Sequence, residues 1–208
     1  MGGAAAAAGG TDGSGEGHGS RVDRRRDATR ADILEAASRL AHRDGIAGLS
    51  LRDLAAEVGM KAPSLYSYFD SKGAIYDALF AEGYRELDVR IDAVPWDAPV
   101  ADVLAEGMRT FLTFCVEDLP RYQLMFTRVL PGWEPSADAY AVSVASYEQL
   151  VARFAALGIT DRSSLDLWTA LTAGFAAQQV ANDPTGDRWI ALVDDAVDLF
   201  LTHLEVTR

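Results

Sequence analysis

The fold is decided by residues 50–72, which read Ser-Leu-Arg-Asp-Leu-Ala-Ala-Glu-Val-Gly-Met-Lys-Ala-Pro-Ser-Leu-Tyr-Ser-Tyr-Phe-Asp-Ser-Lys. The pattern predicts two short helices joined by a tight turn. Ser50 suits the N-cap of the first helix, and Asp53 has the spacing of a capping box. Gly59 follows that helix, where the chain needs a left-handed residue and glycine adopts that conformation cheaply. Pro63 fits the first turn of the second helix, since its missing N–H has no partner there anyway.

The second predicted helix has two different faces. Leu65 and Phe69 lie four residues apart and are expected to point inward. A positive charge, a hydroxyl and two phenols remain for the outward face, on Lys61, Ser64, Tyr66 and Tyr68. A helix that docks on DNA needs such a face. The alternative is an ordinary helical hairpin without a nucleic-acid partner.

An ordered set of motifs around this stretch resembles the helix-turn-helix domain of the tetracycline-repressor (TetR) family. The resemblance spans Thr29 to Leu79 and ends in the specific pattern Tyr-x-Tyr-Phe-x-Ser-Lys at residues 66–72. Its other parts are Ile33-Leu34-Glu35-Ala36-Ala37, Gly45, Ser50, Leu54-Ala55, Gly59 and Leu65. From about residue 90 onward the resemblance is only to the general plan of the family.

The resemblance implies an all-α fold of about nine helices that forms a dimer. A three-helix N-terminal domain would be joined through a long helix 4 to a C-terminal helical bundle. The expected divisions are a disordered tail over residues 1–20, a DNA-binding domain over 21–80 with its helix-turn-helix at 50–69, and an effector-binding and dimerisation domain over 81–208.

Composition and apolar spacing agree with this organisation. About half of the 208 residues are apolar, and no run is long enough to span a membrane. The single cysteine, Cys115, excludes an internal disulfide framework, which suits a reducing cytoplasm.

No segment alternates with the period of a strand, so no sheet is expected. Helix 1 is predicted from near Thr29 to Arg43, helix 4 from Ser71 to about Ile91, and helix 9 from about Asp187 to Leu204.

The negative net charge is unevenly distributed. Residues 21–72 hold ten Arg/Lys and eight Asp/Glu, a net charge of +2, whereas residues 73–208 hold nine and twenty-one, a net charge of −12. A large acidic body repels DNA, so contact is expected only at the N-terminal end. Solubility alone is the other explanation of the acidic surface.

The resemblance and the outward face together give the DNA contacts. Lys61 could reach a guanine edge or a phosphate, and the small Ala62 and Pro63 permit close approach to thymine methyls beside Ser64. By resemblance, Tyr66 and Tyr68 contact the DNA backbone. Phosphate clamps are expected at Ser50, Arg52 and Lys72, near helix N-termini. Arg25 and Arg26, in a basic run, could contact phosphates or a minor groove, or could simply be solvated.

Helices 8 and 9 carry wide apolar faces that the family pattern pairs with a second copy of the chain. The predicted interface residues are Leu171, Phe175, Trp189, Val193, Ala196, Val197, Phe200 and Leu204. The alternative is that these residues form the core of a single subunit. A two-fold dimer is also expected from a helix-turn-helix that binds a palindrome.

Polar and aromatic residues among the apolar ones of helices 4–8 permit a small-molecule pocket. The predicted effector contacts are Arg109, Thr113, Tyr122, Tyr147, Trp168 and Gln178. Mainly apolar walls favour a hydrophobic or aromatic compound, and Arg109 would suit a carboxylate on it. Each residue alone could equally be surface or core.

The sequence therefore predicts a cytoplasmic, homodimeric regulator that represses a palindromic operator until a small effector releases it. One alternative is a regulator without a small ligand, controlled by a protein partner or by its own level. A remote alternative is a small all-α enzyme, but no nucleophile–base pair or phosphate loop occurs. No catalytic residue, cofactor or metal site is predicted. Asp194, Asp195 and Asp198 could suggest a metal site, but Asp194 and Asp198 are interpreted as part of the solvent-exposed face of helix 9.

Overall fold

The computed structural model describes the backbone of residues 16–207 and the side chains of residues 21–204. This part of the chain is all-α and contains no strand, as predicted. Its nine helices are α1 Glu16–Asp44, α2 Leu51–Glu57, α3 Ala62–Leu65, α4 Lys72–Asp92, α5 Val100–Glu117, α6 Leu119–Phe126, α7 Ala137–Ala156, α8 Arg162–Asn182 and α9 Val193–Thr207. Single 3-10 turns lie at Ile46–Gly48 and Ile190–Leu192.

Two helix starts differ from the prediction. Helix α1 begins at Glu16 rather than near Thr29, because the arginine-rich run has good helix propensity. Residues 1–15 of the predicted tail lie outside the described residues. Helix α9 begins at Val193 rather than near Asp187. Side chains of Asp183 and Gln179 accept hydrogen bonds from the backbone N–H groups of residues 188–190, which holds that segment in a loop.

The first three helices enclose a small core. Ile33 of α1, Leu54 of α2 and Leu65 of α3 are almost completely buried in it. Helix α4 closes the domain, since the Tyr76 hydroxyl donates a hydrogen bond to the Ile46 carbonyl at 3.0 Å. The apolar spacing of the sequence therefore places the predicted residues inside.

The C-terminal helices pack around α5. Helix α5 lies against α8 and α9, while α4 lies against α7 and α6. Helices α4 and α6 approach closely at Gly83, where an added Cβ would lie 2.4 Å from the Met125 sulfur. No helix in the described ranges is long and apolar enough to cross a membrane.

Helix α4 belongs to both halves of the molecule. It begins directly after the helix-turn-helix, where the Ser71 hydroxyl accepts a hydrogen bond from the Ala74 N–H at 3.1 Å, and it continues without a break to Asp92. The predicted domain boundary near residue 80 lies within this helix. The helix-turn-helix and the C-terminal bundle are therefore joined by one continuous helix.

Candidate nucleic-acid interface and effector cavity

The turn between α2 and α3 forms as the sequence predicts. The Ser50 hydroxyl accepts a hydrogen bond from the Asp53 N–H at 3.4 Å and so caps α2. Gly59 has a φ of 65°, a left-handed conformation that disfavours other residues. Regular α-helix ends early in α3, at Leu65, and turns follow. The Ser67 hydroxyl donates to the Ser64 carbonyl at 2.6 Å and competes there with further helical bonding.

Two buried side chains, those of Leu65 and Phe69, decide which residues in and beside α3 face solvent. Leu65 and Phe69 are only 1% and 3% exposed. Their burial turns the intervening Tyr66 to the surface, where half of its area is exposed. Lys61, Pro63 and Ser64 are exposed as well, while Ala62 and Tyr68 are half-buried. Four of the DNA-contacting residues predicted in and beside α3 are therefore open to solvent.

Two arginines of α1 brace the turn after α3. Arg26 donates a hydrogen bond from Nη2 to the Ser67 carbonyl at 2.7 Å, and its guanidinium lies 5.6 Å from the Tyr68 ring. Arg30 donates to the Tyr68 carbonyl and lies 4.2 Å from the Phe69 ring. The sequence indicated a basic arm for Arg26, but it did not indicate this brace, because the contact spans 41 residues. Arg25 and Arg26 are both exposed.

The three predicted phosphate clamps lie at the starts of α2 and α4. The Ser50 hydroxyl is engaged in capping α2, and Arg52 beside it is exposed. Lys72, at the start of α4, donates a hydrogen bond to the Ala47 carbonyl at 3.4 Å and lies 5.3 Å from the Tyr76 ring. Its aliphatic stem is half-buried, so its charge is held close to the protein surface.

A cavity of about 500 Å³ opens between α4, α5, α7 and α8. We call it the effector cavity, after the effector pocket that the sequence predicts within helices 4–8. Its walls are mainly apolar, with Phe154 and Trp168 at one end and Phe111 and Phe126 at the other. Exposed apolar side chains surround its mouth, on Phe126, Tyr140 and Val144. This volume and lining are typical of small-molecule sites.

A few polar groups face the effector cavity. The Asp88 carboxylate accepts a hydrogen bond from the Ser146 hydroxyl at 2.5 Å. The Tyr147 hydroxyl is buried and has no hydrogen-bond partner among the described residues. Burial first, and then the nearby Tyr140 and Asp88, raise the pKa of Tyr84 to about 12. The site therefore disfavours negative charge at Tyr84.

Only two of the six predicted effector residues line this cavity, namely Tyr147 and Trp168. Arg109 lies on another face of α5, where Nη2 donates to the Asp194 carboxylate of α9 at 2.6 Å. Thr113 and Gln178 are exposed. Tyr122 is buried on α6 behind Phe126, with 5.9 Å between the ring centroids. The prediction selected polar and aromatic residue types and could not tell which face of each helix would turn inward.

The cavity residues that the prediction missed include Tyr84, Asp88 and Ser146. Tyr84, Leu87, Asp88 and Ile91 recur at helical spacing on α4, and all four line the cavity. That spacing was a usable signal, but it does not distinguish a cavity wall from an ordinary core.

The predicted dimer residues divide into two groups. Val193, Ala196, Val197 and Phe200 are 0–2% exposed within the single subunit, and the Phe200 ring lies 5.0 Å from the Trp168 ring. These four therefore form subunit core, which was the alternative interpretation of the sequence. The remaining predicted residues, Leu171, Phe175, Trp189 and Leu204, are half-buried.

The outward apolar surface of α8 and α9 consists of other residues. Leu199 is 71% exposed, Leu167 42% and Leu192 40%. Small residues lie exposed on α8 between them, including Ala170 and Gly174. A Cβ added at Gly174 would meet no atom within 4 Å. We call Leu167, Gly174, Leu192 and Leu199 the outer α8–α9 face.

These features define an all-α protein with an N-terminal helix-turn-helix and a cavity-bearing bundle. Residues 33–79 match the sequence family described as bacterial regulatory proteins, tetR family. The matched residues run from α1 through the helix-turn-helix into α4. The HTH-type transcriptional regulator Rv1816 of Mycobacterium tuberculosis (strain ATCC 25618 / H37Rv) is 30% identical in an alignment of 128 positions, which covers 58% of this chain and 54% of that protein. The chain thus spans about half the length of this curated relative.

Solved structures share the fold. A protein of unknown function from Rhodococcus sp. RHA1 matches with a TM-score of 0.69 and 22% identity, over 84% of this chain and 94% of that one. A variant of TetR from Acinetobacter baumannii AYE, in complex with minocycline, matches with a TM-score of 0.57 and 21% identity, over 85% and 96%. At these identities the likeness concerns the fold alone.

Proposed function

We propose that this protein is a cytoplasmic DNA-binding transcription regulator, a homodimer that binds a palindromic operator and is released from it by a small hydrophobic or aromatic effector. The observation that carries the proposal is the exposure of Lys61, Pro63, Ser64 and Tyr66 beside the buried anchors Leu65 and Phe69, within the predicted helix-turn-helix. The match of residues 33–79 to the tetR family and the similarity to a relative named as an HTH-type transcriptional regulator support it.

In this account α3 enters the major groove. Lys61 lies at its N-terminal end, where the first residues of a recognition helix contact base edges. Ala62 and Pro63 are small enough for close approach to thymine methyls. Tyr66, Tyr68 and the exposed Arg25 and Arg52 contact the DNA backbone, which sets the register of the protein on the duplex.

Two subunits are needed to bind two half-sites. We assign the dimer contact to the outer α8–α9 face, because its leucines are exposed and its small residues leave room for a partner helix. The recognition helices of a dimer must then lie about 34–36 Å apart to read half-sites one helical turn apart. A displacement of a few ångströms would therefore abolish operator binding.

Helix α4 connects the effector to the DNA. Its N-terminal half contacts the 46–48 turn through Lys72 and Tyr76, and its C-terminal half lines the effector cavity from Tyr84 to Ile91. A ligand that favours a displaced α4 shifts the population away from the DNA-binding arrangement. The minocycline complex of a protein with this fold is consistent with a small-molecule effector.

Selection from a pool of random double-stranded DNA tests the proposal. The purified protein should enrich an inverted repeat whose half-sites are separated by about one helical turn. Enrichment of no sequence, at a salt concentration that suppresses non-specific binding, would contradict it.

A further inference from the structure

The wall of the effector cavity carries one charge without a counter-ion. The Asp88 carboxylate is hydrogen-bonded to a neutral group, the Ser146 hydroxyl, at 2.5 Å. No Lys or Arg of residues 21–204 forms an ion pair with it. The other ionised residue of the wall, Arg153, is paired with Asp92 and lies over the Trp96 ring at 5.1 Å. The charge that a ligand meets in the cavity is therefore negative.

Aromatic rings lie beside this carboxylate. Tyr84 is one helical turn before Asp88 on α4 and lines the same cavity. Its ring centroid lies 4.9 Å from that of Phe80 and 5.9 Å from that of Phe126, and Phe126 lies 5.4 Å from Phe111. Aromatic faces attract cations, and the attraction grows when water is excluded.

The same part of the cavity is unfavourable for an anion. Burial, Tyr140 and Asp88 together raise the pKa of Tyr84 to about 12, so a negative charge at that hydroxyl is disfavoured. A ligand carboxylate placed beside Asp88 would meet the same burial and the same repulsion. Arg109, the one predicted partner for a ligand carboxylate, is outside the cavity and paired with Asp194.

The rest of the cavity suits a bulky apolar frame. Its volume of about 500 Å³ lies in the range of drug-sized ligands. Phe154 and Trp168 close the far end, with 5.8 Å between their ring centroids, and the apolar mouth at Phe126, Tyr140 and Val144 gives access.

We propose that the effector is a lipophilic cation, in which an ammonium or similar positive group lies against the Asp88 carboxylate and the Tyr84 ring while an aromatic frame extends toward Trp168. The Tyr147 side chain lines the same cavity. This inference rests on the proposed role of the cavity as the effector site, and it adds the charge and class of the ligand.

The test uses two ions of the same shape and opposite charge, tetraphenylphosphonium and tetraphenylborate. Their binding to the full chain without DNA is measured by isothermal titration calorimetry. The wild-type protein should bind the phosphonium ion about tenfold or more tightly than the borate. Asp88→Asn should weaken phosphonium binding by about tenfold and remove the preference between the ions. Asparagine keeps the acceptor for the Ser146 hydroxyl, so the local hydrogen bond is retained.

A matched control separates local contact from general charge. Glu148→Gln removes one negative charge from α7 next to Tyr147, but Glu148 is exposed and does not line the cavity. Its phosphonium affinity should equal that of the wild-type protein. Tyr84→Leu is a second cavity variant that keeps Asp88, and it should weaken phosphonium binding several-fold through loss of the ring.

Equal binding of the two ions, binding of neither, or phosphonium binding that survives both cavity variants would overturn the inference. Operator binding by the wild-type protein, measured with no ion present, tests the proposed regulator separately. Specific DNA binding without a cation preference overturns only the ligand class, whereas absence of specific DNA binding overturns the proposed function.

Discussion

The Arg26 guanidinium donates a hydrogen bond to the Ser67 carbonyl at 2.7 Å, and this contact joins the N-terminal half of α1 to the turn that follows α3. Arg30 makes the equivalent contact to the Tyr68 carbonyl one helical turn later on α1. The position of the proposed recognition surface is therefore held by α1 as well as by its own buried anchors.

Arg25 and Arg26 are adjacent in sequence but are expected to act differently. Arg25→Ala should weaken operator binding and lower the slope of log affinity against log salt by about 1, because an exposed phosphate contact is lost. Arg26→Ala should weaken binding with little change in that slope, because the Arg26 guanidinium donates its hydrogen bond to the Ser67 carbonyl rather than to a phosphate. Fluorescence anisotropy with operator DNA between about 50 and 200 mM salt measures both slopes. Equal reductions of the slope in the two variants would mean that Arg26 contacts DNA directly.

The neighbours Leu199 and Phe200 separate dimerisation from folding. Leu199 is 71% exposed and Phe200 2% exposed. Leu199→Asp should leave the subunit folded and convert the dimer to monomer in sedimentation experiments, since it places a charge in a dry contact. Phe200→Ala should instead lower the free energy of unfolding by about 3–5 kcal/mol, through the cavity it leaves beside Trp168.

Gly174 provides a second test of the same face. A leucine side chain at this position meets no atom of its own subunit near the Cβ, so Gly174→Leu should fold normally. It should weaken the dimer by filling the space for the partner helix. A dimer of wild-type strength in both Leu199→Asp and Gly174→Leu would place the interface on another surface.

Gln179 is expected to stabilise the loop before α9. Its side chain is completely buried, accepts a hydrogen bond from the Trp189 N–H at 2.9 Å, and donates to the Gly186 carbonyl at 3.0 Å. Gln179→Leu leaves these groups without a partner and should cost roughly 1–3 kcal/mol for each group that water cannot reach. The neighbouring Gln178→Leu should change stability by less than about 0.5 kcal/mol, since Gln178 is exposed. Urea denaturation compares the two variants, and similar losses of stability would contradict the anchoring role.

The raised pKa of Tyr84 predicts a loss of stability in alkali. The pKa is about 12 in the folded protein, chiefly through burial, and about 10 in an unfolded chain. The folded state therefore holds the proton more tightly, so its full stability is present below about pH 10 and is lost as the pH rises toward 12. Tyr84→Phe should reduce this loss by on the order of 2 kcal/mol. Denaturation curves of the wild-type protein and of Tyr84→Phe at several alkaline pH values measure this loss of stability. If both proteins lose the same stability as the pH rises, the raised pKa of Tyr84 is contradicted.

The helix-turn-helix was predictable because its determinants are local. Ser50, Gly59, Leu65 and Phe69 specify caps, a turn and buried anchors within one short stretch, and each lies as predicted. The effector cavity depends instead on which face of α4 packs against α7. The spacing of apolar residues along one helix does not specify which face that is. Asp88 was therefore missed, and Arg109 was placed in a cavity from which its partner Asp194 excludes it.

The partner of the broad apolar face of α9 was also ambiguous in the sequence. An apolar face predicts burial, but it does not say whether the partner is the same subunit or a second one. Phe200 and its three buried neighbours on α9 pack within the subunit. The same sequence reasoning did not single out the exposed Leu199 as a contact residue.

The central claim is that the outward face of α3 binds operator DNA, and the Lys61→Ala, Tyr66→Phe double variant tests it most directly. Both side chains are exposed, so the circular dichroism and melting temperature should match those of the wild-type protein. Its affinity for the selected operator, measured by fluorescence anisotropy, should fall by roughly 1–3 kcal/mol or more, with relaxed specificity if Lys61 contacts a base. Wild-type affinity and specificity in a correctly folded double variant would contradict the docking of α3 on DNA.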